Sequence, residues 1–81
     1  MDDKEIHGRI DELIRTEHEL RVRHAAGTLS GDAEHAQLKA AEEALDQYWD
    51  LLRQRNARRE AGASPAEAAL RPAAEVEGYR Q

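Results

Sequence analysis

The chain contains no cysteine and no phenylalanine, and its aromatic residues are one tryptophan and two tyrosines among 81 residues. Without cysteine there can be no disulfide, no thiolate metal site and no cysteine nucleophile. No apolar run approaches the roughly 20 residues of a membrane helix, and the acidic start lacks the apolar core of a signal peptide. We therefore expect a cytoplasmic protein with no membrane contact.

The chain also has fewer basic than acidic residues. Charged residues make up 36% of the chain, and the net charge is −5. A dedicated nucleic-acid binder usually carries a basic surface, so a nucleic-acid partner is disfavoured. Fifteen of the apolar residues are alanine, whereas β-branched and aromatic residues are scarce. This composition is typical of exposed amphipathic helices and excludes a sheet, so it predicts one all-α domain.

Apolar residues at helical spacing predict two long helices, over about residues 3–26 and 32–61. Between them, Gly27 suits the left-handed end of the first helix, and Ser30 can cap the second. A turn this short makes the helices antiparallel neighbours. In this hairpin the second helix extends about two turns beyond the first, and the extension is rich in arginine. The core stripes are Ile6, Ile10, Leu13 and Leu20 against Leu38, Ala41, Leu45, Tyr48, Trp49 and Leu52.

Residues 62–81 are predicted to form a short capped helix and a tail that pack on the hairpin of residues 1–61. Ser64 and Glu67 have the spacing of a capping box, with Pro65 at the first helical position of a helix over about residues 65–70. Pro72 would stop that helix. Val76 and Tyr79 in the tail would pack back on the arginine-rich extension.

A lone two-helix hairpin leaves half of each apolar stripe exposed. A second copy would cover the remainder in a four-helix bundle, so we expect a homodimer. Trp49 and Tyr48 point about 100° apart on a helix, so one can fill the core while the other meets a neighbour. The candidate interface residues are Tyr48, Trp49, Leu52, Arg53, Asp46 and Asp50.

The same acidic and basic residues also allow a ligand site or a purely structural network. Asp50 and Arg53 are three residues apart, so a local ion pair is the simplest interpretation. Asp46 and Asp50 are like charges four residues apart. Each is therefore expected to have another cationic partner, on the first helix or on a second subunit. We favour a structural network at an interface over the ligand site.

Two further sites are weighed against simpler alternatives. A phosphate group could bind Arg53, Arg55, Arg58 and Arg59. A solvated helix end with favourable charge for the helix dipole is the commoner explanation of such a run. A metal could bind where His24 meets His35 and Glu34, or at Glu17 on the apolar stripe. Histidines at the mouth of a hairpin are usually solvated, so we expect no metal ion and no cofactor.

The block from Leu45 to Arg59, with the sequence LDQYWDLLRQRNARR, resembles an uncharacterised family of small bacterial proteins. The Glu17–Arg21 segment and the Arg71-Pro72 and Val76–Tyr79 segments are similar too. This family has no assigned function, so the resemblance implies a compact helical protein with the tail as part of the fold. A weaker similarity of Leu45-Asp46 through Arg55 is to the all-helical chorismate mutases, which clamp a dicarboxylate with several cations.

No nucleophile lies near a base, and there is no glycine-rich phosphate loop, so no catalytic residue is assigned. The favoured function is a homodimeric helical module that binds or regulates another protein. The alternatives are a nucleic-acid or nucleotide binder through the arginine segment and, behind it, an enzyme of the mutase type.

Overall fold

The computed structural model describes residues 1–28 and 31–78. Helix α1 spans Asp3–Ala25, α2 spans Gly31–Glu60, a 3-10 turn spans Pro65–Glu67 and α3 spans Ala73–Gly78. No strand occurs in these residues. The predicted all-α hairpin with a short C-terminal helix is therefore confirmed. At about 1.5 Å per residue, α2 is about 45 Å long, which accounts for most of the longest dimension of 49 Å.

Helix α1 begins with a capping box that the sequence interpretation did not identify. The Glu5 backbone N–H donates to the Asp2 carboxylate at 2.8 Å, and the Asp2 N–H donates to the Glu5 carboxylate at 3.4 Å. These bonds satisfy backbone donors that have no partner within the first turn of a helix. The capping box thereby fixes the first turn of α1.

Both long helices end at a glycine with positive φ. Gly27 has φ 74° and Gly62 has φ 75°, a region that side chains with a Cβ rarely adopt. After each glycine the next backbone N–H donates to a carbonyl five residues back, Thr28 to Arg23 at 2.8 Å and Ala63 to Arg58 at 2.7 Å. The predicted role of Gly27 is confirmed, whereas Ser30 lies outside the described residues.

The core of the hairpin lies between facing stripes of the two long helices. Ile6 and Ile10 of α1 pack with Leu45, Leu51 and Leu52 of α2, and both isoleucines are almost completely buried. Helical spacing explains these contacts, because residues three or four apart share one face of each helix. The packed stripes set the antiparallel register, and this register determines which of the remaining side chains of the two helices face each other.

The arginine-rich end of α2 is held against the start of α1. Asp3 accepts hydrogen bonds from Arg55 Nε and Arg59 Nη2, each at 2.6 Å, and Arg55 also donates to the Pro65 carbonyl at 3.1 Å. The bonds from Arg59 and then Arg55 lower the pKa of Asp3 from 3.8 to about 2. This Asp3 clasp corrects the prediction that α2 extends about two turns beyond α1, because it places Arg59, near the end of α2, beside the first turn of α1.

The C-terminal segment differs from its predicted local structure. Ser64 makes no side-chain capping bond, and the predicted helix over residues 65–70 is a single 3-10 turn. Pro72 begins a helix rather than ending one, because its carbonyl accepts from the Val76 N–H at 3.1 Å. Proline lacks an N–H, and a helix start is where a missing N–H costs least. Residues 73–78 are therefore α3 and not a tail.

The segment passes the arginine-rich end of α2 at Pro65 and Glu67 and then, from Ala69 onward, runs back along the middle of α2. Gln54 Nε2 donates to the Ala69 carbonyl at 2.8 Å, and Gln47 Nε2 donates to the Arg71 carbonyl at 3.0 Å. Val76 is 2% exposed, so the predicted burial of Val76 is confirmed although its partner surface differs. Tyr79, the other predicted packing residue, lies outside the described residues.

Candidate interaction surface

Two large apolar side chains on one side of the hairpin stay about half exposed. Trp49 of α2 is 42% exposed and Ile14 of α1 is 46% exposed. Ile14 follows the buried Ile10 by four residues, so it lies about 40° further round α1, at the edge of the core. Isolated exposed apolar residues are ordinary, but an adjacent pair on one surface is a candidate contact site.

The register of the hairpin places Ile14 beside Trp49. Arg21 Nη2 of α1 donates to Glu42 Oε1 of α2 at 3.0 Å, so these two residues face each other on one side of the hairpin. Seven residues are almost two helical turns and return to nearly the same face. Because the helices are antiparallel, a step back along α1 corresponds to a step forward along α2. Seven residues before Arg21 is Ile14, and seven residues after Glu42 is Trp49.

A further step of seven residues reaches His7 on α1 and Asn56 on α2, both exposed. We call this surface the Ile14–Trp49 strip. It has an apolar pair in its middle, an ion pair at one end and two uncharged or weakly basic polar side chains at the other. Its members are His7, Ile14 and Arg21 of α1 and Glu42, Trp49 and Asn56 of α2.

Charged side chains join the helices next to Trp49. Arg21 Nε lies 3.2 Å from Glu17 Oε1, so one guanidinium bridges a carboxylate on its own helix and Glu42 on α2. Glu17, weighed above as a possible metal ligand, thus forms an ion pair with Arg21. All three groups remain partly exposed, so their attraction is screened by water and salt.

A groove with a volume of about 620 Å³ lies beside the strip. Leu45 and Trp49 form its apolar part. Its walls carry five carboxylates and two cationic side chains, and a dicarboxylate would meet net repulsion there. The groove therefore offers nothing like the convergent cations that a chorismate-mutase-like site requires. The charged lining residues are Glu17, Glu42, Glu43, Asp46, Glu77, Arg21 and Lys39.

The structure separates the predicted interface residues into surface and interior groups. Trp49 and Arg53 are exposed, and Tyr48 is half-buried against the core cluster. Leu52 is part of that cluster and Asp50 is buried, so both contact their own chain. Sequence spacing missed Ile14 as a surface residue. The available signal was its place four residues after Ile10, one step outside the apolar stripe.

Asp50 has its cationic partner on the C-terminal segment. Arg71 Nε lies 3.2 Å from Asp50 Oδ2, and Gln54 Nε2 donates to the same oxygen at 2.9 Å. The expected additional cation for Asp50 is therefore present, but it comes neither from α1 nor from a second subunit. It also replaces the local pair with Arg53. Asp46, the other expected member of the network, is half-buried and lines the groove.

The arginine segment contacts carboxylates of its own chain. Arg55 and Arg59 bind Asp3, and Arg58 Nη1 lies 3.4 Å from Glu67 Oε2. Arg53 is exposed on the outer side of α2. A phosphate group would have to compete with these carboxylates for three of the four predicted ligands. The favourable position of cations at a helix C-terminus accounts for the same residues.

The histidines at the mouth of the hairpin pack on each other. The rings of His24 and His35 are perpendicular with centroids 5.6 Å apart, and Glu34 pairs with Arg23 instead of joining them. Within residues 1–28 and 31–78, no group of three or more histidine, aspartate or glutamate side chains could hold a metal ion. Nor does any helix there combine the length and apolar character needed to cross a bilayer.

Comparison with known proteins agrees with the predicted resemblance. The family model described as "Protein of unknown function (DUF2630)" matches residues 2–81. The chain belongs to this family. It is 47% identical over 77 residues to the uncharacterized protein Rv0898c of Mycobacterium tuberculosis, with 95% of this chain and 88% of the relative covered. The uncharacterized protein Mb0922c of Mycobacterium bovis matches with the same figures. No solved structure matches the chain.

Proposed function

We propose that this member of the DUF2630 family is a non-catalytic helical interaction module that forms a homodimer through the Ile14–Trp49 strip. The observation that carries the proposal is the pair of half-exposed apolar side chains placed side by side by the hairpin register. The C-terminal segment covers the back of α2 and brings Glu77 to the groove beside Trp49, yet Trp49 and Ile14 both stay about half exposed.

The composition of the strip supports a protein partner. Protein interfaces typically combine an aromatic or apolar centre with a polar rim. Trp49 and Ile14 supply the centre, and the Arg21–Glu42 ion pair supplies part of the rim. Tryptophan is an effective interface anchor, and the 42% of Trp49 that stays exposed is surface that a partner can remove from water. A regulatory role would follow if another protein binds the dimer or competes for the same strip.

A nucleic-acid partner has less support than a protein partner. The net charge is −5, and three of the four arginines proposed for phosphate binding are already paired with carboxylates. An enzyme of the mutase type likewise lacks support, because the groove beside Trp49 is lined mainly by carboxylates.

Sedimentation equilibrium of the full chain tests the proposal. We expect the wild-type protein to have about twice its monomer mass of 9.1 kDa. Trp49→Ala should weaken the dimer by about 3 kcal/mol, which is roughly a hundredfold rise in Kd. Val22→Ala is the matched control, because Val22 is 53% exposed on α1 but eight residues from Ile14 and away from the strip.

The helical content of each variant, measured by circular dichroism below its dissociation constant, separates loss of association from loss of folding. A wild-type chain that stays monomeric into the millimolar range would contradict the proposal. So would a folded Trp49→Ala chain that dimerises as tightly as the Val22→Ala control.

A further inference from the structure

We infer that the two copies pack with their two-fold axis parallel to the helices, so that Arg21 of each subunit pairs with Glu42 of the partner subunit. This inference rests on the proposed dimer and specifies its geometry. It follows from the order of side chains along the Ile14–Trp49 strip. The strip has three levels, and each level is one residue of α1 beside one residue of α2. Successive levels are seven residues apart on each helix.

In a symmetric dimer that brings the two strips face to face, the two-fold axis lies in the plane between them. With the helices of the two copies aligned, this axis runs either along the helices or across them. An axis along the helices places α1 of one copy over α2 of the other and leaves each level unchanged. Ile14 then faces the partner's Trp49, and Arg21 faces the partner's Glu42. At the far end His7 faces the partner's Asn56.

An axis across the helices places α1 over the partner's α1 and reverses the levels. Ile14 would then face the partner's Ile14, but Arg21 would face the partner's His7 and Glu42 would face the partner's Asn56. Arg21 and Glu42 would keep their pair within each chain, but neither would gain an oppositely charged partner from the other subunit. Charge complementarity therefore selects the axis along the helices.

In the selected arrangement the existing Arg21–Glu42 pair, 3.0 Å apart within each chain, becomes half of a ring of four alternating charges. Each guanidinium has several N–H donors and can bind a carboxylate on either side. The product is a four-helix bundle in which each helix is antiparallel to both of its neighbours. The ion pairs select register and orientation, while Trp49 and Ile14 supply most of the affinity.

Mixing two charge-reversed variants tests this geometry. Arg21→Glu alone should weaken self-association by about tenfold or more, since it gathers four carboxylates, and Glu42→Arg alone should do the same with four guanidinium groups. In a one-to-one mixture, both cross-subunit pairs join opposite charges although both pairs within a chain repel. We expect native mass spectrometry to show mainly the mixed dimer.

The doubly substituted chain, Arg21→Glu with Glu42→Arg, restores opposite charges at positions 21 and 42 both within each chain and across the dimer, although the exposed Glu17 pair is lost. It should therefore form a homodimer close to wild type in affinity. A mixture that forms no more mixed dimer than random association would overturn the inferred geometry. If the wild-type chain dimerises through Trp49 in that case, the proposed function still stands. If the wild-type chain does not dimerise at all, both fall together.

Introduced cysteines provide a second measurement that does not depend on the charge variants. Because the chain has no cysteine of its own, only the new thiols can form a disulfide. His7→Cys mixed with Asn56→Cys should give a cross-linked heterodimer on a non-reducing gel. His7→Cys mixed with Arg21→Cys is the matched control, and preferential cross-linking of that pair would indicate the other axis and refute the inference.

Discussion

Three consecutive residues of α2 show how differently the two sides of this helix are completed. Asp50 and Leu51 are each 4% exposed, whereas Trp49, one residue earlier, is 42% exposed. Asp50 is covered by the C-terminal segment, whose Arg71 pairs with it, and Leu51 belongs to the core cluster that Ile6 and Ile10 form with α2 and against which Ala68 of that segment packs. The side with Trp49 faces solvent together with Ile14 of α1.

Within residues 1–28 and 31–78, the protein leaves part of its apolar surface exposed. On the covered side, a buried carboxylate has a guanidinium partner and two glutamines donate to backbone carbonyls of the incoming segment. On the open side, the polar groups form an exposed rim around an apolar centre. Such a surface is suited to a separate molecule, which is why we propose the partner there.

The largest effect in this comparison is expected from truncation on the covered side. Leu51→Ala should lower the free energy of unfolding by about 2–5 kcal/mol, because it leaves a cavity in the core cluster that Leu51 shares with Ile6 and Ile10. Ile14→Ala, on the open side, should change it by less than about 0.5 kcal/mol in the monomer. Urea unfolding at protein concentrations below the dimer dissociation constant measures both, and equal losses would invalidate the distinction between the sides.

A smaller effect is expected from the ion pair that fastens the C-terminal segment. Arg71→Ala should cost about 2 kcal/mol of unfolding free energy, because Asp50 would keep its buried charge with only Gln54 as a partner. Arg58→Ala is the control, since its pair with Glu67 is exposed and worth about 0–1 kcal/mol.

Replacing the carboxylate by an amide identifies the cause of that loss. Asp50→Asn in the Arg71→Ala background should recover part of the lost stability in urea unfolding, because the buried charge is gone. If Arg71→Ala and Arg58→Ala have the same small effect, the C-terminal segment is held by Val76 and its backbone bonds and not by the ion pair.

The smallest effect concerns the Asp3 clasp and appears only in acid. Because folding lowers the pKa of Asp3 from 3.8 to about 2, this carboxylate stabilises the folded chain above pH 3.8 and loses that contribution as the pH falls toward 2. Asp3→Asn should therefore show a shallower loss of stability between about pH 4 and pH 2. Arg59→Gln removes the strongest cause of the lowered pKa, so its loss of stability in acid should lie between those of wild type and Asp3→Asn.

Thermal unfolding across that pH range measures the effect. If wild type and Asp3→Asn lose stability equally as the pH falls, the Asp3 clasp is not the source of the acid sensitivity. Sodium chloride should reduce the stabilisation only in part, because the Arg55 side chain is 10% exposed and is screened less than a surface cation.

Helical spacing predicted the elements that depend on neighbouring residues. The hairpin, the glycine that ends α1 and the buried positions of Ile6 and Ile10 follow from contacts within a few turns, so they can be read along the chain. The capping box proposed at Ser64 was wrong, as was the stop at Pro72. Both errors arose because a serine or a proline at such a position is compatible with a helix, a 3-10 turn or a helix start. Packing of the segment on α2 decides which of these forms.

The candidate surface was predicted in part. Trp49 was recognised because it is the single tryptophan, but Ile14 was overlooked and Asp50 and Leu52 proved to be interior. The partner of Asp50 is Arg71, which lies 21 residues further along the chain and beyond two turns. No periodic pattern connects residues at that distance, so sequence spacing alone could not have paired them.

The amino-acid sequence by itself determined that this protein is a cysteine-free helical hairpin, because apolar periodicity, glycine ends and composition act over short distances. Only the tertiary structure decided which side of α2 the C-terminal segment covers and which side stays open. That choice depends on long-range register: the same seven-residue step that aligns Arg21 with Glu42 also brings Ile14 beside Trp49. Such alignment exists only when two helices have packed.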